Sequence, residues 1–190
     1  MPTPTTPEAL HSLADALWRT TAPDDIDAVH YARTAALVVA GNPRVPRRAA
    51  RWLVALHRYE AHWSRVGRAP RENTRARDTL GDDERRLGEW ARYQRRFEER
   101  LNAYQRARLD VSPAFEWDPL ERAWRTQYAA CVRFVVETGN LPRLHATDPA
   151  EFRLARWLGR QLRRLQTGKL ERTRAKDLNR LLSGGAPPSA

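Results

Sequence analysis

Apolar side chains recur at intervals of three and four residues along almost the whole chain. Leu10, Leu13 and Leu17 show this interval near the N-terminus, and Trp52 and Leu56 show it again further on. The spacing places apolar residues on one face of an α-helix, because a helix turns once every ~3.6 residues. No segment has the sustained alternation of apolar and polar residues that is typical of a half-buried strand. The pattern therefore predicts an all-α protein.

One helix-forming segment occurs twice. The sequence RRLGEWARYQRR at 85–96 and the sequence RLARWLGRQLRR at 153–164 both place a Trp four residues before a Gln among several arginines. Each segment is preceded by a Gly that stands three residues before a Pro, at Gly67 in one case and at Gly139 in the other. Such self-similarity indicates repeated small helical units whose length differences fall in loops.

The repeat predicts tandem small three-helix modules preceded by an N-terminal helical segment. The expected boundaries are 1–47 for the N-terminal segment, 48–117 for the first module and 118–182 for the second. Residues 183–190, with the sequence SGGAPPSA, are expected to form a flexible tail. The segment 41–60 faintly resembles part of the second module, so a degenerate third repeat there stays open.

Helix N-termini are marked by residues that cap free backbone N–H groups. Thr6 followed by Pro7 predicts one helix start, and Asp148 followed by Pro149 predicts another. Glu151 stands where the reciprocal partner of a capping box is expected.

The chain carries a large and unevenly distributed positive charge. Its formal net charge is +11 and its sequence pI is about 11.0. Residues 1–40 contain two Arg and five acidic residues, a net charge of −3, so the other 150 residues carry +14. A surplus of this size predicts a polyanionic partner, with nucleic acid ahead of an acidic protein or a membrane surface.

No targeting or membrane segment is recognisable. The longest apolar run, AALVVA at 35–40, is far shorter than the ~18 residues of a membrane-spanning helix. The N-terminal MPTPTTPEAL has neither the basic start nor the apolar stretch of a secretory signal. We therefore expect no membrane partner and a cytoplasmic location, nucleoid-associated if the chain binds DNA.

Neither a catalytic site nor a metal site emerges from the sequence. His57 and His62 are five residues apart, on different sides of a helix, and no Cys pair or carboxylate cluster supports them. The lone Cys131 lies in an apolar stretch and is expected in the core. No nucleophile with a base partner is recognisable, and no phosphate-binding G-x-x-x-x-G-K-[ST] loop occurs. We expect no enzyme activity, no metal and no cofactor.

The arrangement of Gly, Pro, Trp and Gln in both copies resembles the bacterial helicase-associated domain. The resemblance covers roughly residues 50–182, as two tandem copies. The matching residues are Tyr59, Gly67, Pro70, Leu87, Gly88, Trp90, Gln94, Arg95, Leu101, Leu109 and Trp117 in the first copy, and Trp124, Tyr128, Gly139, Pro142, Leu154, Trp157, Gln161, Leu170 and Leu178 in the second. The second copy departs from the family pattern at Ala155, where a Gly is expected, and at Leu162, where an Arg is expected. It also lacks a closing G-x-x-W after Leu178.

The resemblance implies a fold and a function. It implies a small all-helical module that is usually found in tandem copies beside a superfamily-2 helicase motor and that binds nucleic acid. Because the phosphate-binding loop of a motor does not occur in the chain, it implies the accessory module without the motor.

Arginines occupy one side of the repeated helix. In the second copy, Trp157 and Gln161 share a face with three leucines, and five arginines lie on the other face. A row of guanidiniums along ~15 Å of helix can follow a phosphate backbone. The predicted nucleic-acid-binding residues are Arg92, Arg95 and Arg96 in the first copy, and Arg153, Arg156, Arg160, Arg163, Arg164, Lys169, Arg172 and Lys176 in the second.

The tryptophans are expected in the core rather than against nucleobases, because they fall on apolar stripes. This applies to Trp52, Trp63, Trp90, Trp124 and Trp157. Trp117, at the boundary between the copies, is the expected exception.

Together these features predict a non-catalytic nucleic-acid-binding protein. We expect it to contact double-stranded DNA mainly at phosphates, with little sequence specificity and steep salt dependence. Two alternatives stay open. The arginine faces are also suited to structured RNA, and the acidic segment 1–40 and the basic remainder are suited to assembly between copies or with an acidic protein partner.

Overall fold

The structure is a computed structural model that describes residues 6–42, 47–72 and 79–183. These residues form α-helices joined by turns and a short 3-10 helix, and they contain no strand. The all-α fold is therefore confirmed. The α-helices are α1 (Pro7–Thr21), α2 (Ile26–Val39), α3 (Arg47–Val66), α4 (Asp82–Arg96), α5 (Ala103–Asp110), α6 (Pro119–Thr138), α7 (Pro149–Gln166) and α8 (Arg172–Leu182). None of them is long and apolar enough to cross a bilayer.

The predicted capping residues begin their helices. The side-chain oxygen of Thr6 accepts a hydrogen bond from the backbone N–H of Ala9 at 3.3 Å, and Pro7 follows as the first residue of α1. Asp148 accepts hydrogen bonds from two backbone N–H groups at the start of α7, at 2.9 and 3.3 Å. These bonds satisfy donors that would otherwise have no partner within the helix.

The capping box expected at Glu151 is wrong. Its Oε1 does not bind the backbone of Asp148. It accepts hydrogen bonds from the backbone N–H and the Nε of Arg143, at 3.0 and 3.4 Å. A guanidinium with a neighbouring free N–H is a stronger site for a carboxylate than one N–H alone. The contact therefore ties the loop after α6 to the first turn of α7.

The chain divides into two compact units, residues 1–117 and 118–190, called the first and second units here. In the first unit, α1 packs against α5, and α2 packs against α3 and α5. The buried Trp18 of α1 belongs to the same core as Leu53 and Tyr59 of α3. The segment 1–47, expected as a separate part, therefore shares one core with the module expected over 48–117.

The second unit consists of α6, α7 and α8 around a small core. The core is formed by Trp124, Tyr128, Cys131, Trp157, Leu158, Leu178 and Leu181. Cys131 is fully buried, which confirms it as a core residue, and burial raises the pKa of its thiol to about 11. At pH 7 this thiol is therefore protonated and unreactive.

Two predictions involve residues outside the described ranges. Of the expected tail at 183–190, only Ser183 is described, and it ends α8. Of the segment 41–60, residues 43–46 are not described, and residues 47–60 belong to α3. The flexible tail and the third repeat stay predictions.

Candidate nucleic-acid interface

Helix α7 presents five of the predicted residues on its exposed side. Its buried residues are Ala155, Trp157, Leu158 and Gln161. Because successive residues of a helix are rotated by about 100°, the five arginines fall within an arc of about 100° on the other side. They are all exposed, and we call them the α7 arginine surface: Arg153, Arg156, Arg160, Arg163 and Arg164.

The α7 arginine surface carries uncompensated charge. Its first and last residues, Arg153 and Arg164, are separated by ~16 Å along the helix, at ~1.5 Å per residue. None of its five side chains forms an ion pair with a carboxylate of the described residues. The guanidinium of Arg156 lies 5.8 Å from the ring centre of Phe152 and keeps its charge outward.

Two carboxylates of the second unit pair with arginines of α6 and α8. Glu121 binds Arg174 of α8 and Arg125 of α6, with shortest N–O distances of 2.6 Å to both. The hydrogen bonds from Arg174 and then from Arg125 hold the pKa of Glu121 below its usual range. Arg125 also binds Asp177 at 3.0 Å. These pairs join α6 to α8 and leave α7 out.

Further carboxylates of this unit cap helices. Asp118 and Asp148 cap α6 and α7, and Glu171 accepts the backbone N–H groups of Thr173 and Arg174 at the start of α8. These two hydrogen bonds lower the pKa of Glu171. The basic residues of the unit number fourteen and the acidic ones seven, and this placement concentrates the surplus on α7 and one side of α8.

Helix α8 adds a second exposed row of cations. Lys169, in the turn before α8, and Arg172 and Lys176 on α8 are exposed, as the sequence pattern predicts. Arg180 is exposed too and continues the row, since Arg172, Lys176 and Arg180 are four residues apart. The sequence prediction omitted Arg180, although the same spacing could have identified it.

Two of the three binding residues predicted in the first unit are exposed cations. Arg92 and Arg96 of α4 are exposed, and neither forms an ion pair with a carboxylate of the described residues. Arg95 differs, because its side chain is only 13 % exposed. It donates a hydrogen bond to the backbone carbonyl of Glu116 at 2.8 Å and pairs with Glu72. Arg95 is thus turned inward and neutralised, and it is not the exposed cation that the sequence predicts.

The tryptophans lie in or against the cores, as predicted. Trp52, Trp124 and Trp157 are buried. Trp63 and Trp90 are partly buried and pack on the core of the first unit. Their indole rings therefore serve mainly in core packing.

Trp117, the expected exception, is also held within its unit. Its Nε1 donates a hydrogen bond to Oδ1 of Asp110 at 2.7 Å. Its ring lies edge-on to that of Phe115, with centroids 5.0 Å apart. The residue is partly buried and packs against the first-unit core.

His57 and His62 lie on α3. Burial lowers the pKa of both imidazoles. In residues 6–42, 47–72 and 79–183, no group of three or more potential metal ligands occurs.

The two units repeat a contact as well as a sequence pattern. In the first unit, Glu84 of α4 accepts hydrogen bonds from the backbone N–H and the Nε of Arg71, at 2.9 and 3.1 Å. In the second unit, Glu151 of α7 accepts the same two bonds from Arg143. Each Glu stands six residues before the Trp of the repeated helix, and each Arg directly follows the Pro of the preceding turn.

The tryptophan pairs of the two units also correspond. The ring centroids of Trp52 and Trp90 are 6.2 Å apart with an interplanar angle of 55°. Those of Trp124 and Trp157 are 5.9 Å apart with the same angle. The first Trp of each pair stands 15 residues before a glycine with positive φ, just beyond the end of its helix.

Helices α6, α7 and α8 together correspond to a known domain. Residues 121–184 match the helicase associated domain family. The match covers 64 of the 190 residues and shows one copy of this domain, where the second copy was predicted. The matched range includes Ala155 and Leu162, two of the positions at which the sequence departs from the family pattern.

The helicase-associated domain contains the α7 arginine surface and the cationic row of α8. It therefore holds eight of the eleven predicted binding residues. A family named for its association with helicases connects the chain to nucleic acid in general. The match does not extend to the expected first copy at 48–117. No curated protein and no solved structure matches the chain.

Proposed function

We propose that the chain is a non-catalytic nucleic-acid-binding protein that holds double-stranded DNA by its phosphates. The observation that carries this proposal is the α7 arginine surface. It presents five exposed guanidiniums, without carboxylate partners among the described residues, on a domain of the helicase-associated family. Guanidinium groups bind phosphate oxygens in a bidentate manner. Without such a ligand, exposed guanidiniums have only water and salt ions around them to screen their charge.

The proposed binding has low sequence specificity. The side chains of α7 best suited to reading or stacking on bases, Gln161 and Trp157, are buried. Contacts from exposed arginines to phosphates fix the position of a protein on the duplex but carry little sequence information. The exposed row of Arg172, Lys176 and Arg180 on α8 supplies further contacts of the same kind. Binding to DNA would place the protein with the nucleoid in the cytoplasm.

We also propose that residues 48–117 hold a second, divergent copy of the domain. The equivalent contacts of Glu84 with Arg71 and of Glu151 with Arg143 support it, as do the two tryptophan pairs with equal interplanar angles. Of the predicted binding residues in this copy, Arg92 and Arg96 are exposed and Arg95 has a structural role, whereas all eight predicted for the second copy are exposed. The larger electrostatic contribution is therefore assigned to the second copy.

The test is a titration of labelled duplex DNA, followed by fluorescence anisotropy, between about 50 and 200 mM salt. The variant Arg156→Gln/Arg160→Gln removes two cations of the α7 arginine surface. The matched control Arg33→Gln/Arg133→Gln removes the same charge from exposed arginines on α2 and α6. Gln has nearly the helix propensity of Arg, so all three helices are retained.

The α7 double variant should reduce the slope of log affinity against log salt by up to ~1.8, because each lost phosphate contact contributes ~0.9. The control should leave the slope close to that of the wild type. Removing Arg153 and Arg163 as well should double the effect. Salt-independent binding, or equal effects of variant and control, would contradict the proposal. Competition with structured RNA and with an acidic protein identifies either of those as the preferred ligand instead.

A further inference from the structure

The first unit contains a pocket that the duplex contacts do not use. Helices α2, α3, α4 and α5 border it, and its volume is about 310 Å³. Tyr93, Phe97 and Gln105 line it, together with Arg48 and Arg100 at its polar edge. This volume is at the lower end of the ~300–1,000 Å³ typical of small-molecule sites. The pocket therefore has room for one planar ring system and not for a double helix.

An exposed aromatic ring stands at this pocket. Tyr93 is 57 % exposed, while most aromatic residues of the unit pack in the core. Its ring contacts that of Phe97, with centroids 4.6 Å apart and an interplanar angle of 52°. Phe97 thus supports one side of Tyr93 and leaves much of its surface open. A supported, half-exposed ring is the usual platform on which unpaired bases stack.

Gln105 provides a directed hydrogen-bond donor. Its side chain is 6 % exposed, and its Oε1 accepts the backbone N–H of Asn102 at 3.3 Å in a capping box. This bond fixes which end of the amide faces the backbone. The Nε2 atom has no hydrogen-bond partner in the part of the chain that the structure describes. The fully enclosed side-chain atoms without a partner lie elsewhere, at His62, Trp124 and Gln161, so water reaches Nε2 of Gln105 and a ligand acceptor can take the place of that water.

The charge at the pocket is positive. Arg48 is exposed and forms no ion pair with a described carboxylate. Arg100 lies 4.6 Å from the ring centre of Phe97. It also lies 3.6 Å from a carboxylate oxygen of Glu99, and both of these side chains are about 70 % exposed. An exposed pair at this distance contributes little and leaves the guanidinium available to an anion.

We propose that this pocket binds one unpaired nucleotide of a nucleic-acid strand. The base stacks on Tyr93 and accepts a hydrogen bond from Nε2 of Gln105, while the flanking phosphates are bound by Arg48 and Arg100. Every base has a π face and at least one carbonyl oxygen or ring nitrogen as acceptor, so the site discriminates unpaired from paired nucleotides rather than one base from another. The chain then has two binding modes, duplex phosphates on the second unit and an unpaired base on the first.

The test uses the full chain and an oligothymidylate of about 12 nucleotides, within the usual site sizes for single strands. Tyr93→Leu keeps an apolar side chain but removes the ring, and Tyr93→Phe is its matched control because it keeps the ring. Tyr93→Leu should weaken single-strand binding by about five- to a hundredfold, whereas Tyr93→Phe should have little effect. Gln105→Glu keeps the capping acceptor and removes the donor, and it should also weaken binding. Circular dichroism checks that each variant is folded.

A second readout locates the base directly. A strand carrying 5-iodouracil should form a photo-crosslink to the peptide that contains Tyr93, and an excess of unlabelled oligothymidylate should suppress it. Single-strand affinity equal in Tyr93→Leu and the wild type, or a crosslink confined to other peptides, would overturn the proposal. Suppression of the crosslink by free mononucleotide at a concentration at which oligothymidylate has no effect would also overturn it, since the site would then serve a free nucleotide.

This inference and the proposed duplex binding fail separately. Tyr93→Leu should leave duplex affinity unchanged, and Arg156→Gln/Arg160→Gln should leave the crosslink at Tyr93 in place. A wild-type chain that binds oligothymidylate through Tyr93 but does not bind duplex DNA would contradict only the duplex proposal. A parallel loss of duplex and single-strand affinity in Tyr93→Leu would contradict the pocket.

Discussion

The indole Nε1 of Trp52 donates a hydrogen bond to Oε1 of Gln94 across 2.9 Å, and both side chains are buried. The bond joins α3 to α4, and Nε2 of Gln94 reaches the carbonyl oxygen of Trp90 at 3.4 Å. In the helicase-associated domain, Trp124 and Gln161 occupy the corresponding positions of the repeat. Their Nε1 and Oε1 atoms are buried and have no partner in the described part of the chain. The same two residue types therefore stabilise the two units differently.

Exchange of each Gln for Met should show this difference. Gln94→Met preserves the length of the side chain but leaves the buried N–H of Trp52 without an acceptor, which should lower the free energy of unfolding by about 1–3 kcal/mol. Gln161→Met removes an oxygen that has no partner, so it should lower the free energy of unfolding by less than Gln94→Met does, or raise it. Urea unfolding of the two full-length variants, followed by circular dichroism, measures the difference. Equal losses would show that the Trp52 bond has no special weight.

Two glycines inside helices provide a second matched pair. A Cβ on Gly88 of α4 would collide with the backbone carbonyl of Arg71, whereas nothing lies within 4 Å of the Cβ position on Gly159 of α7. Gly159→Ala should raise the free energy of unfolding by about 0.5–1 kcal/mol, because alanine loses less conformational entropy in a helix. Gly88→Ala has the same entropic advantage, but it should lower the free energy of unfolding overall, because the backbone carbonyl of Arg71 must move to make room for the Cβ. Thermal unfolding distinguishes the two, and equal stabilisation by both would mean that the Arg71 loop shifts freely.

The helices could be predicted because their signals are local. Thr6 and Asp148 cap helices through atoms two or three residues away, and the apolar spacing of α7 shows its buried face. The merging of the N-terminal segment with the next module could not be predicted in this way. It depends on α1 packing against α5, as in the 2.9 Å hydrogen bond between His11 and Tyr104, and the sequence does not show which apolar faces meet.

The same distinction applies to the candidate interface. The α7 arginines could be predicted because the helical period alone determines their side of the helix. Arg95 could not, because its partners Glu72 and the Glu116 carbonyl come from segments about 20 residues away in either direction. Tyr93 was missed for a related reason, since its exposure depends on how Phe97 packs beside it.

Acid should weaken the contact that holds the turn before α4. Hydrogen bonds from Arg71 and Arg68 hold the pKa of Glu84 well below its usual range, and its side chain is 12 % exposed. Since the folded state favours the carboxylate, its contribution is complete above the unfolded pKa and is lost as the pH falls from about 4.5 towards the folded pKa. Glu84→Gln should therefore cost about 1–3 kcal/mol near neutral pH and progressively less in acid.

Urea unfolding at several pH values measures this trend, and the neighbouring Asp83 provides the control. Asp83 forms one exposed pair with Arg58 at 3.0 Å, so Asp83→Asn should cost about 0–1 kcal/mol at neutral pH. If Glu84→Gln keeps its full cost in acid, the ionised carboxylate is not the stabilising group.

The buried ion pair of the first unit allows a double-mutant cycle. Arg108 is 1 % exposed and donates hydrogen bonds to both carboxylate oxygens of Glu60, at 2.7 and 2.8 Å, and Ser112 donates a third at 2.7 Å. Arg108→Met should cost about 3–5 kcal/mol, because it leaves a buried carboxylate without its cation. Glu60→Met/Arg108→Met should cost less than either single change, because two apolar side chains of similar volume need no counter-charge. Additive losses in urea unfolding would contradict this coupling. Because the pair lies in the first unit and the α7 arginine surface in the second, the folded double variant should bind duplex DNA as the wild type does.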